Sequence, residues 1–236
     1  MKLWTTLIQG PIDKSSPSLQ CIDEYKKYGD VVVSCYHKDL EEQPFEDVNM
    51  DGINVTSCFS PEIPHNNQCR WFNRSTFYYA LTTMYNGVRL VKTPYVIKTR
   101  SDESWGCLDP FILEFNNSKS LVCGNIFCKK FEEVPFHFGD HIFVVKTAYL
   151  KKCLQILINI CDEGRLSSEL PAESVLCAYI MKSMNRQVSK EQYFDMIKIV
   201  DINKVKNFTA SWVHAGESYK NSFINPHNVY SNNDLY

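Results

Sequence analysis

The chain has 236 residues, enough for one well-buried core, with 44% hydrophobic and 22% charged residues and a formal net charge of -2. That balance excludes a disordered or fibrous chain. It also excludes a global positive field for nucleic acid, so any anion site is a local pocket. No run approaches the length of a membrane span, and the apolar start Leu3 to Ile8 meets Gln9-Gly10-Pro11 with no small-residue cleavage site. This segment predicts a buried first strand closed by a turn. Ser15 to Tyr28 predicts a helix, with Ser15 or Ser16 as cap, Pro17 in the first turn, Leu19, Ile22 and Tyr25 on one face and Gly29 as the stop. Asp30 to Tyr36 is a continuous apolar run, as in a strand covered on both faces, and it completes a βαβ unit.

Residues 37–66 are loop-like, with Pro44, Gly52, Pro61 and Pro64, and a short strand is expected over Asn54 to Phe59. A long helix is expected from Asn67 to Tyr85, stopped by Gly87. Pro94 then starts a strand, Tyr95 to Arg100, which ends in Asp102-Glu103. A helix over Asp109 to Phe115 and a strand over Ser120 to Phe127 continue the alternation. A strand over Phe143 to Val145 and apolar helices over Thr147 to Ile160 and Leu170 to Met184 follow. Beyond Lys206 the chain is rich in Asn, Ser and Tyr and loses its period. The alternation predicts an α/β fold with a mostly parallel sheet and a more irregular C-terminal part.

Ten cysteines occur without a Cys-x-x-Cys pair, and Cys35, Cys123, Cys153 and Cys177 lie inside apolar patterns. They read as small buried hydrophobes, reduced in a cytoplasmic setting. In that setting the glycosylation sequons at Asn54, Asn73, Asn116 and Asn207 are idle.

Ligands of open α/β sheets bind beyond the carboxyl ends of the strands. Gln9, Gly10 and Pro11, then Ser34 to His37, then Arg100 to Glu103 are expected to meet there. Lys98 and Arg100 alternate and so share a side of their strand. With Arg74 they are candidates for holding phosphates. Asp102 and Glu103 offer hard oxygens for Mg²⁺ or Mn²⁺. Tyr36 and Trp105 are candidates for stacking on a base or sugar. Each feature has a plain structural reading as well: a turn, a solvated strand end, a capping acid, a core aromatic.

The chain resembles the WavE-type lipopolysaccharide-synthesis family. The shared segments are Leu7-Ile8-Gln9-Gly10-Pro11-Ile12, Val31 to Tyr36, Asn67-Gln68, Asn73-Arg74, Tyr95 to Asp102, His137-Phe138-Gly139-Asp140-His141 and Pro171-Ala172-Glu173, spanning roughly residues 3–184. The resemblance implies a glycosyltransferase with a GT-A-like fold. It would be a single domain over residues 1–236, with a nucleotide-sugar-binding half (1–105) and an acceptor-side half (106–236). It implies a nucleotide-sugar donor, a glycan or other hydroxyl acceptor, and a divalent cation. Related folds usually carry Asp-x-Asp, and here Arg100 stands at its first position, so Asp102, with His214 as a late ligand, is the expected metal set. Asp140 is the expected general base and Glu173 the second candidate. Two rival classes remain, a nucleotidyltransferase that makes an activated sugar and a non-catalytic glycan-binding module.

Overall fold

The computed structural model describes residues 2–59, 68–70 and 74–210. Strand β1 (Trp4–Gln9) leads through two short helices, α1 (Pro17–Gln20) and α2 (Ile22–Lys26), into β2 (Gly29–Tyr36). A 3-10 turn over His37–Glu42 and a loop bring the chain to β3 (Ile53–Cys58). The short β4 (Gln68–Arg70) precedes the long α3 (Arg74–Leu90). Then come β5 (Tyr95–Arg100), β6 (Glu103–Trp105), α4 (Asp109–Ser118) and β7 (Leu121–Gly124). The C-terminal part holds β8 (Phe143–Lys146), α5 (Thr147–Asp162), β9 (Ser167–Pro171), α6 (Ala172–Ser183), α7 (Lys190–Met196), β10 (Ile197–Val200) and β11 (Phe208–Ala210).

Seven strands form one twisted sheet in the order β10-β7-β8-β5-β1-β2-β3. Every pair is parallel except those made by β8, which runs antiparallel to both β5 and β7. The sheet is covered on both faces, which explains its near-continuous apolar strands. Leu7, Val32 and Val96 point to one face, in a core with residues of α3, α5 and α6. Ile8, Val31, Val33 and Ile97 point to the other, with residues of α2 and α4. The alternation is the period of two that strands impose. Two small pairs flank the sheet, β6 with β11 and β4 with β9.

Several elements depart from the sequence expectations for local reasons. The single helix expected over residues 15–28 breaks at Cys21, whose Sγ lies 2.7 Å from Ser104 Oγ. The Ser18 N–H, in the same stretch, is drawn to the Ser101 carbonyl (3.3 Å), so contacts with the β5–β6 corner displace regular helical geometry. The helix expected to begin at Asn67 has β4 at its start and becomes helical at Arg74. The helix expected from Leu170 begins at Ala172, because Leu170 and Pro171 belong to β9. The strand expected to reach Phe127 ends at Gly124, and Phe127 adopts φ 54°. The β6–β11 pair, α7 and β10 were not expected.

Gly87 does not end α3, which runs on to Leu90. Its role is close approach to the sheet: a Cβ there would lie 2.4 Å from Leu7 Cδ1 and 2.8 Å from Ser34 Cβ. Gly87→Ala is therefore expected to cost about 1–3 kcal/mol through overpacking, despite alanine's better helix preference. Urea unfolding measures this, and an unchanged midpoint would show that the helix–sheet contact is loose.

Among the described cysteines no disulfide forms. Cys35, Cys123, Cys128, Cys153, Cys161 and Cys177 are buried, and Cys21, Cys58 and Cys107 are partly buried. No helix among the described residues is long and apolar enough to cross a membrane.

Candidate active site

The sheet has a switch point. From β1 the chain moves outward through β2 to β3, and β5 then lands on the other side of β1. Register levels the three carboxyl ends, with Gln9 opposite both Ser34 and Arg100. Such a crevice is where open α/β sheets bind ligands. A cleft of about 890 Å³ opens here. Its walls include Gln9, Gly10, Pro11, Tyr36, Lys98, Arg100, Asp102, Asp140 and Glu173, so the structure brings these sequence candidates together. Arg74 opens α3, and His214 lies outside the described residues.

The β1 end of the cleft is tied to its neighbours by hydrogen bonds. Gln9 Nε2 donates to Thr83 Oγ1 of α3 (2.7 Å). Gly10 has φ +128°, a conformation that suits glycine, and a Cβ there would lie 2.8 Å from Ser101 Oγ. Its close approach is thus to the β5 turn, where the Ser101 hydroxyl donates to the Pro11 carbonyl. Asp39 Oδ2 accepts from the N–H of Ile12 (3.3 Å) and of Tyr36 (2.9 Å), tying the ends of β1 and β2. The Tyr36 ring stands edge-on to Tyr79. Trp105 does not reach the cleft: it is fully buried between Phe111 and Phe208, where the apolar face of β6 packs, and so its role is in the core.

Arg100 turns back on its own strand end. Its Nε donates to Asp102 Oδ1 (2.8 Å) and its Nη2 to Asp102 Oδ2 (2.7 Å), a two-pronged fork. Nε also lies 3.8 Å from Glu103 Oε1. Burial disfavours the guanidinium charge, but the bond to Asp102 and the carboxylates of Glu103 and Asp140 outweigh it and hold Arg100 charged. Burial likewise works to raise the Asp102 pKa, and the bond to Arg100 and its charge bring it below the usual range. Glu103 is fully buried and accepts from His141 Nδ1. The His141 ring lines the cleft.

Lys98 is 1% exposed. Its ammonium donates to the Asp140 carbonyl (2.6 Å) and lies 3.9 Å from Asp140 Oδ2. Burial pushes the Lys98 pKa down, against the pull of Asp140. Lys98, which also lines the cleft, thus ties the loop carrying Asp140 to β5. Asp140 shows the reverse balance. Burial would raise its pKa, but Lys98, His141, Arg100 and His137 hold it below the usual range.

Glu173 differs from all of these. It lies in the first turn of α6, and burial, then the nearby Asp140 charge, push its pKa up to about 7. Its Oε2 is buried, has no hydrogen-bond partner among the described residues, and lies 3.7 Å from His137 Nε2. Burial pushes the His137 pKa down to about 4, so the ring is neutral and does not hold Glu173 ionised. The two carboxyls, Asp140 and Glu173, are thus driven apart, one ionised and one poised near neutrality, a pattern typical of acid–base sites. Around them Phe77, Leu81, Met84, Phe138 and Leu176 give the cleft an apolar wall. His137 and His141 were noticed in the sequence only as neighbours of Asp140; the run His137-Phe138-Gly139-Asp140-His141 was the available signal.

No protein-family model and no curated protein sequence matches the chain. Solved structures match in fold. One is 4-diphosphocytidyl-2C-methyl-D-erythritol synthase from Anaerococcus prevotii, at 8% identity and TM-score 0.50, covering 85% of this chain and 89% of that one. Another is described as a glucose-1-phosphate thymidylyltransferase from Bacillus anthracis in complex with a sucrose, at 9% identity and TM-score 0.50, covering 88% and 89%. The fold is GT-A-like. A third match, the apo form of mouse xyloside xylosyltransferase 1, has 8% identity, covers 86% of each chain and has a TM-score of 0.45, at which a likeness carries no argument.

The GT-A-like resemblance implies a divalent cation, and the donor set fits one poorly. Both Asp102 oxygens are engaged by the Arg100 fork, and Glu103 Oε1 by His141. A dication on Asp102 would sit against a guanidinium. Among the described residues no three of His, Cys, Asp and Glu gather as a ligand set.

Proposed function

We propose that the protein is a glycosyltransferase that moves a sugar from a nucleotide-sugar donor to a hydroxyl of a glycan or similar acceptor. The observation that carries this reading is one cleft at the switch point that holds a charged Arg100 and a Glu173 carboxyl poised near neutrality. The two groups match the two demands of the reaction. The bond between the sugar carbon and the diphosphate oxygen breaks with its electron pair going to the oxygen, and Arg100 faces that growing charge. The acceptor oxygen bonds to the same carbon and gives its proton to Glu173. Asp140 keeps its charge beside Lys98 and is better placed to orient than to take a proton. In this reading residues 1–105 form the donor-binding half of a single domain and residues 106–236 the acceptor side. Gln9, Gly10, Pro11 and Tyr36 face the nucleoside.

A nucleotidyltransferase is the second reading, since one match at TM-score 0.50 is named a thymidylyltransferase. One observation favours sugar transfer. A nucleotidyltransferase typically carries a Gly-rich, basic loop after its first strand. Here that loop has one glycine, Gly10, and its cation Lys14 is exposed, pairs with Glu46 and is not among the cleft-lining residues. The charged residue of this loop that does line the cleft is acidic, Asp13. A purely glycan-binding module gives no reason for buried ionisable groups in the cleft.

A panel of UDP-, GDP-, CDP- and dTDP-sugars tests the proposal. Slow hydrolysis of one donor, accelerated by an acceptor, with release of the nucleoside diphosphate, is the expected result. Release of pyrophosphate from a nucleoside triphosphate and a sugar phosphate would establish the nucleotidyltransferase instead.

A further inference from the structure

Resting on the transferase reading, we infer that His137 is a positioning residue for Glu173: with the acceptor bound, its Nε2–H closes onto Glu173 Oε2, so that Oε1 is the oxygen that takes the acceptor's proton. Two buried polar atoms point to this pairing. Among the described residues neither His137 Nδ1 nor Glu173 Oε2 has a hydrogen-bond partner. Buried polar groups are paired almost everywhere in proteins, so two orphans on facing residues call for a cause. His137 Nε2 stands 3.7 Å from Glu173 Oε2, just beyond hydrogen-bond reach. Bonds between catalytic groups are commonly long before substrate binds and tighten in the complex.

The backbone aims the imidazole. The His137 N–H donates to the Val134 carbonyl (3.3 Å), and the His137 carbonyl accepts from the Tyr193 hydroxyl (2.9 Å). Gly139 lies so close to the end of β7 that a Cβ there would be 2.2 Å from the Gly124 carbonyl oxygen. Lys98 holds the Asp140 carbonyl at 2.6 Å. On the other side Phe136 adopts φ 60°, a conformation that bulky side chains avoid, and packs on Phe131 and Tyr193. Strain of this kind persists only where the surroundings over-determine it, and it gathers at functional sites.

The chemistry suits a hydrogen-bond donor and not a second base. Burial keeps the His137 ring neutral, with its pKa pushed down to about 4, so it carries one N–H. A carboxylate beside Nε2 draws that proton to Nε2 and leaves Nδ1 bare. The charged or titratable groups that face the pair are Asp140 and His141 of the same loop, Lys98 of β5 and Lys129 after β7. Apart from Tyr79 and Glu173 itself, the cleft-lining residues of α3 and α6 are apolar. The proton balance is simple: the acceptor's proton moves to Glu173, and His137 donates a hydrogen bond but keeps its own proton. That bond favours the ionised carboxyl, the form that accepts.

Hydrolysis of whichever donor of the UDP-, GDP-, CDP- and dTDP-sugar panel the wild-type chain accepts, with water in the acceptor's place, tests the inference. His137→Phe is expected to lower kcat about tenfold or more and to leave donor KM within about twofold. The acid limb of kcat/KM should move up by about one pH unit, because the ionised carboxyl loses its donor. His137→Gln, whose amide nitrogen can reach the Nε2 position, is expected to regain most of the rate. His137→Asn, whose amide nitrogen matches Nδ1, is not. The contrast between the two amides carries the test should phenylalanine disturb the fold. Wild-type kcat and an unmoved acid limb in His137→Phe, a defect confined to donor KM, or equal behaviour of the two amides would overturn the inference and leave the transferase reading standing. Hydrolysis of no donor by the wild-type chain would overturn both.

Discussion

Glu173→Gln is expected to lower sugar transfer by roughly 10²–10⁴-fold, the usual worth of a general base, and to make the protein more stable at alkaline pH. The catalytic half follows from placement. Glu173 faces the cleft from α6 with a pKa near 7, matched to accepting a proton at neutral pH. The stability half follows from linkage. Its folded pKa of about 7 lies above the ordinary 4.5, so the folded state binds the proton more tightly. The group's favourable contribution is complete below pH 4.5 and is lost as pH rises through about 7. Above that, ionised Glu173 destabilises the fold by on the order of 3 kcal/mol at most. Burial sets most of this value, and the charged or titratable groups that face Glu173 come from two elements: Asp140 and His141 from the loop before β8, with His137 of that loop 3.7 Å away, and Lys98 from β5. Glutamine has no proton to lose, so the variant should melt several degrees above wild type at pH 8 and close to it at pH 4.5. The wild-type kcat/KM should rise through pH 7 on its acid limb, about tenfold per unit. A Glu173→Gln enzyme of normal rate would pass the base role to Asp140. A melting difference that does not change with pH would show that Glu173 is ionised throughout.

Lys98→Met is expected to destabilise the fold by about 3–5 kcal/mol, since removing one member of a buried ion pair leaves the other uncompensated. Lys98 is almost fully enclosed and bonds the Asp140 carbonyl as well as facing its carboxylate. The methionine fills the stem's volume but supplies neither contact. Adding Asp140→Asn removes the stranded charge, so the double variant should regain a large part of the loss. Chemical denaturation of the two single variants and the double one measures the coupling. Additive effects, or a single variant as stable as wild type, would show that Lys98 and Asp140 do not act as a pair.

The sequence made the floor of the cleft readable because that floor is local. Apolar runs ending in Gln9-Gly10-Pro11 and in Lys98-Thr99-Arg100-Ser101-Asp102 place their own carboxyl ends, and parallel pairing then aligns them. What those side chains do there is tertiary. Arg100 folds onto Asp102 only because the chain turns between β5 and β6. Glu103 meets His141 across 38 residues, and nothing in either neighbourhood signals the pairing. Gly87 read as a helix stop because glycine's local preference is legible and its contact with Leu7 and Ser34 is not. The break at Cys21 has the same origin, in Ser104, 83 residues on. Strand β11 pairs with β6 from the far end of the chain, and three residues have no period to detect.

The antiparallel ladder between β5 and β8 has a mechanical consequence. Lys98 lies opposite Phe143, and Tyr95 opposite Lys146, so the strand that carries Arg100 and the segment that carries Asp140 and His141 are laced together. Sliding one past the other would break the whole ladder at once. The floor of the cleft therefore moves as a single plate, and the spacing between its charges is set when the protein folds.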